Sequence, residues 1–249
     1  MQRAQHDRIA ETALGWHRGG QGAALATVVQ TWGSAPRPAG SQLAISGAGQ
    51  IMGSVSGGCV EGAVVTEAQE AIGDGMPRLL TFGVSDDQAF AVGLACGGTI
   101  RVLVEPIGAA PHALPEPMLA DLVDARAQRR AIAYLVHLDT WARRLSAGPG
   151  DPLADAILSR LRADRSGPEP DGWFIAAHNP PLRMAVVGAV HIAQALMPMA
   201  RACGFDATLI DPRETFAAAE RFPAETVVQD WPDEALQNLR IHARTAVVT

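Results

Sequence analysis

Between Gly53 and Gly62 the chain reads Gly-Ser-Val-Ser-Gly-Gly-Cys-Val-Glu-Gly, and no other stretch narrows the backbone's choices so far. A strand-like run precedes it. A helix-like run from Val60 to Ile72 follows, with apolar or small residues at 60, 64, 68, 71 and 72. Glycines at 53, 57 and 58 admit φ > 0, so successive amides around Ser56, Gly57 and Gly58 can turn toward one point. Such a concavity at the start of a helix suits a phosphate or another anion. Cys59 stands at its rim, where a thiol becomes more acidic, a better nucleophile and a better ligand for a soft metal. The plainer alternative is a tight turn with Cys59 as a small packed hydrophobe.

Two further loops share this grammar. Gly93-Leu-Ala-Cys96-Gly97-Gly98 again sets a cysteine beside paired glycines, just before the strand-like run Thr99 to Glu105. Upstream, Thr31-Trp-Gly-Ser-Ala-Pro-Arg-Pro-Ala-Gly40 is a Pro/Gly loop carrying Arg37. In this order, T-W-G-S-A-P-R-P-A-G, G-S-V-S-G-G-C-V-E-G and C-G-G resemble the XdhC/CoxI family of molybdenum-enzyme accessory proteins. The resemblance runs from about Leu25 to Pro106 and resumes near Leu182 with G-A-V-H-I-A and D-P-R.

That resemblance implies a chaperone that binds molybdenum cofactor (molybdopterin) and delivers it to a molybdenum hydroxylase of the xanthine dehydrogenase or carbon monoxide dehydrogenase type. It further implies help in exchanging a molybdenum oxo ligand for sulfur, with a cysteine desulfurase as donor. The expected role is that of a non-catalytic maturation factor rather than an enzyme, and a homodimer is left open. The residues suit such a cargo: the amides of 53–59 and Arg37 for the molybdopterin phosphate, Cys59 or Cys96 for the molybdenum. The candidate site is therefore Arg37, Ser56, Gly57, Gly58, Cys59, Cys96, Gly97 and Gly98, joined by Gly188, His191, Asp211 and Arg213 in the last third. Cys203, at the end of a helix-like run, is expected to be buried.

Composition excludes several other chemistries. The formal net charge is −6 and no long basic run offsets it, so nucleic acid is not an expected partner. All 20 basic residues are arginine, which removes a lysine phosphate loop, a lysine Schiff base and a lysine general base together. The seven histidines show no metal-binding spacing. Three cysteines in 249 residues do not make a disulfide scaffold. With no apolar run of membrane-spanning length and no signal-like N-terminus, a cytoplasmic protein away from membranes is the expectation.

The fold expected is α/β: an N-terminal α+β domain, residues 1–110, then a bridging segment, 111–181, without a chemical motif. A Rossmann-like βαβ domain, 182–249, follows. The buried-strand run Leu182 to Gly188, the helix His191 to Ala202 and the strand Phe205 to Ile210 give it that reading. The dinucleotide fingerprint wants glycine at 188, glycine at 190 and a small residue at 193; here Val190 puts a branched side chain where a pyrophosphate needs room. Asp211 stands 23 residues after Gly188, where an acid would hold a ribose hydroxyl. The sequence stops inside a fourth strand-like run, Thr245 to Thr249, so this domain is expected to be truncated. An NAD(P)-dependent oxidoreductase and a protein-interaction module with degenerate sites are the rival readings.

Overall fold

The computed structural model describes residues 8–33, 35–83 and 98–249. They divide into two compact units, Arg8–Pro180 and Pro181–Thr249.

The first unit is built around β1 (Ala23–Trp32), whose run AALATVV is buried on both faces. It lies at the centre of an antiparallel sheet ordered β3-β2-β1-β5-β4, with β2 (Gln42–Ser46), β3 (Ile51–Gly53), β4 (Arg78–Phe82) and β5 (Thr99–Pro106). Alternation decides which residue meets which layer. Ala24, Ala26, Val28, Ile100, Val102 and Val104 face α2 (Glu61–Asp74), which lays Val64, Ala68 and Ala71 along them. Leu25 and Leu103 face the other way, onto α1 (Ile9–Arg18) and α3 (Glu116–Ala127). Because both faces are covered, β1 reads as a continuous apolar run rather than an alternating one.

Residues beyond 110 carry a second antiparallel sheet, ordered β7-β6-β9-β8: β6 (Ile132–His137), β7 (Arg143–Ser146), β8 (Gly167–Pro168) and β9 (Trp173–His178). Tyr134, Val136, Phe174 and Ala176 enter the same core as Leu25, Leu103 and the α1 and α3 residues. The opposite face, Ala133, Leu135 and Ile175, is closed by Ile157 and Leu161 of α4 (Ala154–Ala163). A polar strut crosses between the sheets. Glu105 of β5, fully buried, accepts hydrogen bonds from Tyr134 Oη at 2.7 Å and Arg143 Nε at 2.8 Å. Burial pushes the Glu105 carboxyl up, against the pull of Arg143.

The second unit is a parallel sheet ordered β12-β11-β10-β13, with β10 (Arg183–Val187), β11 (Asp206–Ile210), β12 (Thr226–Val228) and β13 (Thr245–Val248). The helix α5 (His191–Ala202) buries Ala193, Met197 and Ala200 against Val186, Ala207 and Leu209. A short α6 (Pro232–Asn238) places Ala235 beside Ala185 and Ile210 on the other face. Helices on both faces of a parallel sheet give the expected Rossmann-like architecture. Among the described residues no helix is long and apolar enough to cross a membrane.

Candidate functional site

The glycine turn after β3 folds as anticipated and holds an anion, and that anion is the chain's own. Gly57 at φ 82° and Gly58 at φ 118° take left-handed conformations that side chains rarely adopt. The amides they help to aim converge on Glu61, the first residue of α2. Its Oε1 accepts from Ser54 Oγ at 2.7 Å, Ser56 N at 2.9 Å, Gly57 N at 3.1 Å and Val55 N at 3.2 Å. Its Oε2 accepts from Gly58 N at 2.9 Å and from the Ser56 hydroxyl. The Ser56 oxygen in turn accepts from Val60 N at 3.0 Å, so this serine closes the turn on both sides.

Burial works against a charge on Glu61. The Ser56 and Ser54 hydroxyls and the Ser56 amide outweigh it and hold the carboxyl at about 2 instead of an ordinary 4.5. Among the described residues no arginine forms an ion pair with Glu61. Sequence reasoning missed this residue, although a signal was present. Gly58 and Glu61 have the spacing of the acidic half of a capping box, in which a side chain three residues on reaches back to a backbone N–H.

The other candidates on this unit divide clearly. Cys59 is half-buried and packs on the cluster beneath α2, together with Ala35 of the Arg37 loop. A side chain on Gly57 would come within 3.9 Å of Pro36, so the Arg37 loop and the 53–59 turn adjoin. Arg37 itself is exposed, as are Gly57 and Gly58, while Ser56 is buried. Gly98 is buried at the entry to β5. Cys96 and Gly97 lie outside the described residues.

On the second unit Gly188 follows β10 directly, and its amide donates to Ile210 O at 2.8 Å. His191 is exposed at the first turn of α5, and Val190 before it is 38% exposed. Asp211 is buried at the end of β11, its carboxylate taken by Ala189 N at 2.8 Å and by Arg213 through Nε at 2.9 Å and Nη2 at 2.7 Å. The Arg213 guanidinium, with those amide bonds, holds the carboxyl far below the usual range. From the other side Arg221 Nη1 bonds Ala189 O at 2.9 Å. The turn that the rival dinucleotide reading would fill with a ribose and pyrophosphate, already opposed by Val190, is thus clamped by side chains of its own unit.

Cys203 overturns an expectation. It is exposed rather than packed, because α5 ends at Ala202 and Gly204, at φ 83°, swings the chain off the buried line of Ala193, Met197 and Ala200. Among the described residues no three histidine, cysteine or acidic side chains gather as a metal site.

Residues 16–83 match the sequence model of the XdhC and CoxI family, and residues 184–249 match that of the XdhC Rossmann domain. The chain belongs to the XdhC and CoxI family. Within it, 215 residues are 30% identical to the molybdenum cofactor insertion chaperone PaoD of Escherichia coli, over 86% of this chain and 61% of PaoD. This XdhC/CoxI chain therefore spans under two thirds of that relative's length. A Bacillus subtilis protein named as a probable xanthine dehydrogenase subunit is 28% identical over 243 residues, 91% of this chain and 71% of that protein. A crystal structure of a protein described as a xanthine dehydrogenase from Bacillus halodurans shares the XdhC/CoxI chain's fold. Its TM-score is 0.76 at 23% identity, over 98% of this chain and 74% of that one.

Proposed function

We propose that this chain binds molybdenum cofactor as cargo and inserts it into a molybdenum enzyme, a xanthine dehydrogenase-type hydroxylase. The observation that carries the reading is the 30% identity to a molybdenum cofactor insertion chaperone across 86% of the chain. What supports a place for the cargo is the half-buried Cys59 thiol on a glycine turn beside the loop that carries Arg37. A thiolate suits molybdenum as a soft ligand, and an arginine suits the pterin phosphate. Cys96, Gly97 and Gly98 belong to the same proposal as the third loop. Exchange of an oxo ligand for sulfur while the cargo is held, with a cysteine desulfurase supplying the sulfur, completes it.

On the second unit the proposal gives Gly188, His191, Asp211 and Arg213 no nucleotide. With Asp211 already bonded to Ala189 and Arg213, a ribose hydroxyl would have to displace an ion pair. The test is calorimetric titration of the full chain with molybdenum cofactor and, separately, with NAD and NADP. Saturable cofactor binding that Arg37→Ala and Cys59→Ala both weaken, with neither dinucleotide binding at micromolar concentration, is the expected result. Binding of NAD in place of the cofactor would give the protein to the oxidoreductase class.

A further inference from the structure

The five donor groups nearest Cys59 on its N-terminal side all point at one carboxylate. Val55, Ser56, Gly57 and Gly58 give it their amides, and Ser56 adds its hydroxyl. Ser54 closes the ring from the β3 side, donating its hydroxyl to Glu61 while accepting from Gly57 N at 2.9 Å. Two consequences follow from chemistry alone. The amides are already spent, so they are not free to hold the phosphate of a cargo. And the left-handed turn at Gly57 and Gly58, which sets the direction in which Cys59 leaves the loop, is fixed by a group that accepts on both oxygens.

We propose that Glu61 is the positioning residue of the Cys59 turn, a built-in anion that shapes the loop presenting the thiol to the cargo. The proposal rests on the cargo-binding reading above and deepens it. The turn contributes geometry, and the contact to an anionic cargo passes to side chains on the adjoining loop, Arg37 first. A glutamine is no substitute. It keeps one carbonyl acceptor, but its amide nitrogen then faces Gly58 N–H, a donor set against a donor. An empty position leaves the amides of Val55, Ser56 and Gly58 and two hydroxyls with no acceptor but water, while Gly57 N keeps Ser54 Oγ.

The experiment compares the full-length wild type, Glu61→Gln and Glu61→Gly. Each cysteine's rate of alkylation by N-ethylmaleimide is followed at one fixed pH by mass spectrometry, with exposed Cys203 as the internal reference. The backbone amide resonances of Gly57 and Gly58 are recorded alongside. In both variants the Cys59 rate relative to Cys203 should rise roughly five- to tenfold, about what the loss of one or two net hydrogen bonds allows. The two glycine amides should move away from their carboxylate-bonded positions. Adding sodium formate to Glu61→Gly should return the rate and the resonances toward wild type, while sodium chloride should not.

A merely structural role would shift the melting temperature without formate rescue. Unchanged Cys59 reactivity and unmoved glycine resonances in folded Glu61→Gln overturn the proposal, as does a folded Glu61→Gly that formate does not restore. Should Glu61→Gly fail to fold, Glu61→Gln decides the matter. Cofactor retained through gel filtration is scored last. Retention by wild type and equally by Glu61→Gln sinks the positioning role alone. No retention by wild type sinks the cargo reading, while the thiol and amide readouts still judge Glu61.

Discussion

Two glycine turns, one in each unit, were expected to receive a ligand, and each is filled by a carboxylate from its own chain. At the first, Glu61 is held by amides and hydroxyls, with no ion pair to it among the described residues. At the second, Asp211 accepts from two amides, Ala189 N and Arg213 N, and has its charge answered by the Arg213 guanidinium. The difference is between dipoles and a counter-ion. Converging dipoles act only on a charge placed at their focus, so the Glu61 turn is geometrically strict. An ion pair with a half-exposed arginine tolerates displacement and is screened by salt. The first arrangement suits a turn that must hold a thiol in place, and the second suits one that only needs closing.

The largest effect that tests this contrast is truncation of the two acids. Glu61→Ala should cost about 3 kcal/mol and Asp211→Ala about half as much, since the first strands several donors and the second leaves an arginine that water can reach. Urea unfolding measures both, and equal losses would end the distinction. Acid is the next test. Glu61 is depressed from 4.5 to about 2, so its stabilisation is complete above 4.5 and is lost as pH falls through about 2. Glu61→Gln should therefore flatten the fall of the urea midpoint across that window, and a slope unchanged from wild type would mean the acceptor is not ionised.

Smaller still, Arg213→Gln should lower the urea midpoint only slightly, and not measurably in molar salt, whereas the Glu61→Ala loss should persist there. Smallest is Cys203→Ala. An exposed thiol past a helix end contributes little, so the melting temperature should move by about a degree or less. A larger drop would mean that Cys203 packs in solution.

Periodicity and runs of apolar residues made most of the framework legible. The stripe Val60, Val64, Ala68 and Ala71 is buried as its spacing predicts, and the continuous run of β1 is explained by cover on both faces. The strand β7 escaped notice because Arg-Arg-Leu-Ser reads as solvated; its arginines are met by Glu105 and Asp151, partners distant or polar enough to leave no local pattern. The adjoining of the Arg37 loop and the Cys59 turn is a tertiary fact that no spacing encodes. Glu61 was visible but unread, because glycines, a serine and a cysteine suggested an incoming anion and drew attention from the acid that already supplies one. Cys203 was misplaced by extending a helical register one residue past the point where Gly204 breaks it.

The pairing of Ala24 with Pro106 across the middle of the first sheet has a kinetic consequence. Every loop residue proposed to meet cargo on this unit, from Arg37 to Gly98, lies within the length of chain which that pairing closes. A contact so distant along the sequence forms slowly, because the entropy of the intervening chain is lost before most native contacts compensate for it. The Glu61 turn is local and does not wait for that pairing, but the loops proposed to share the cargo are gathered into one unit only when it closes.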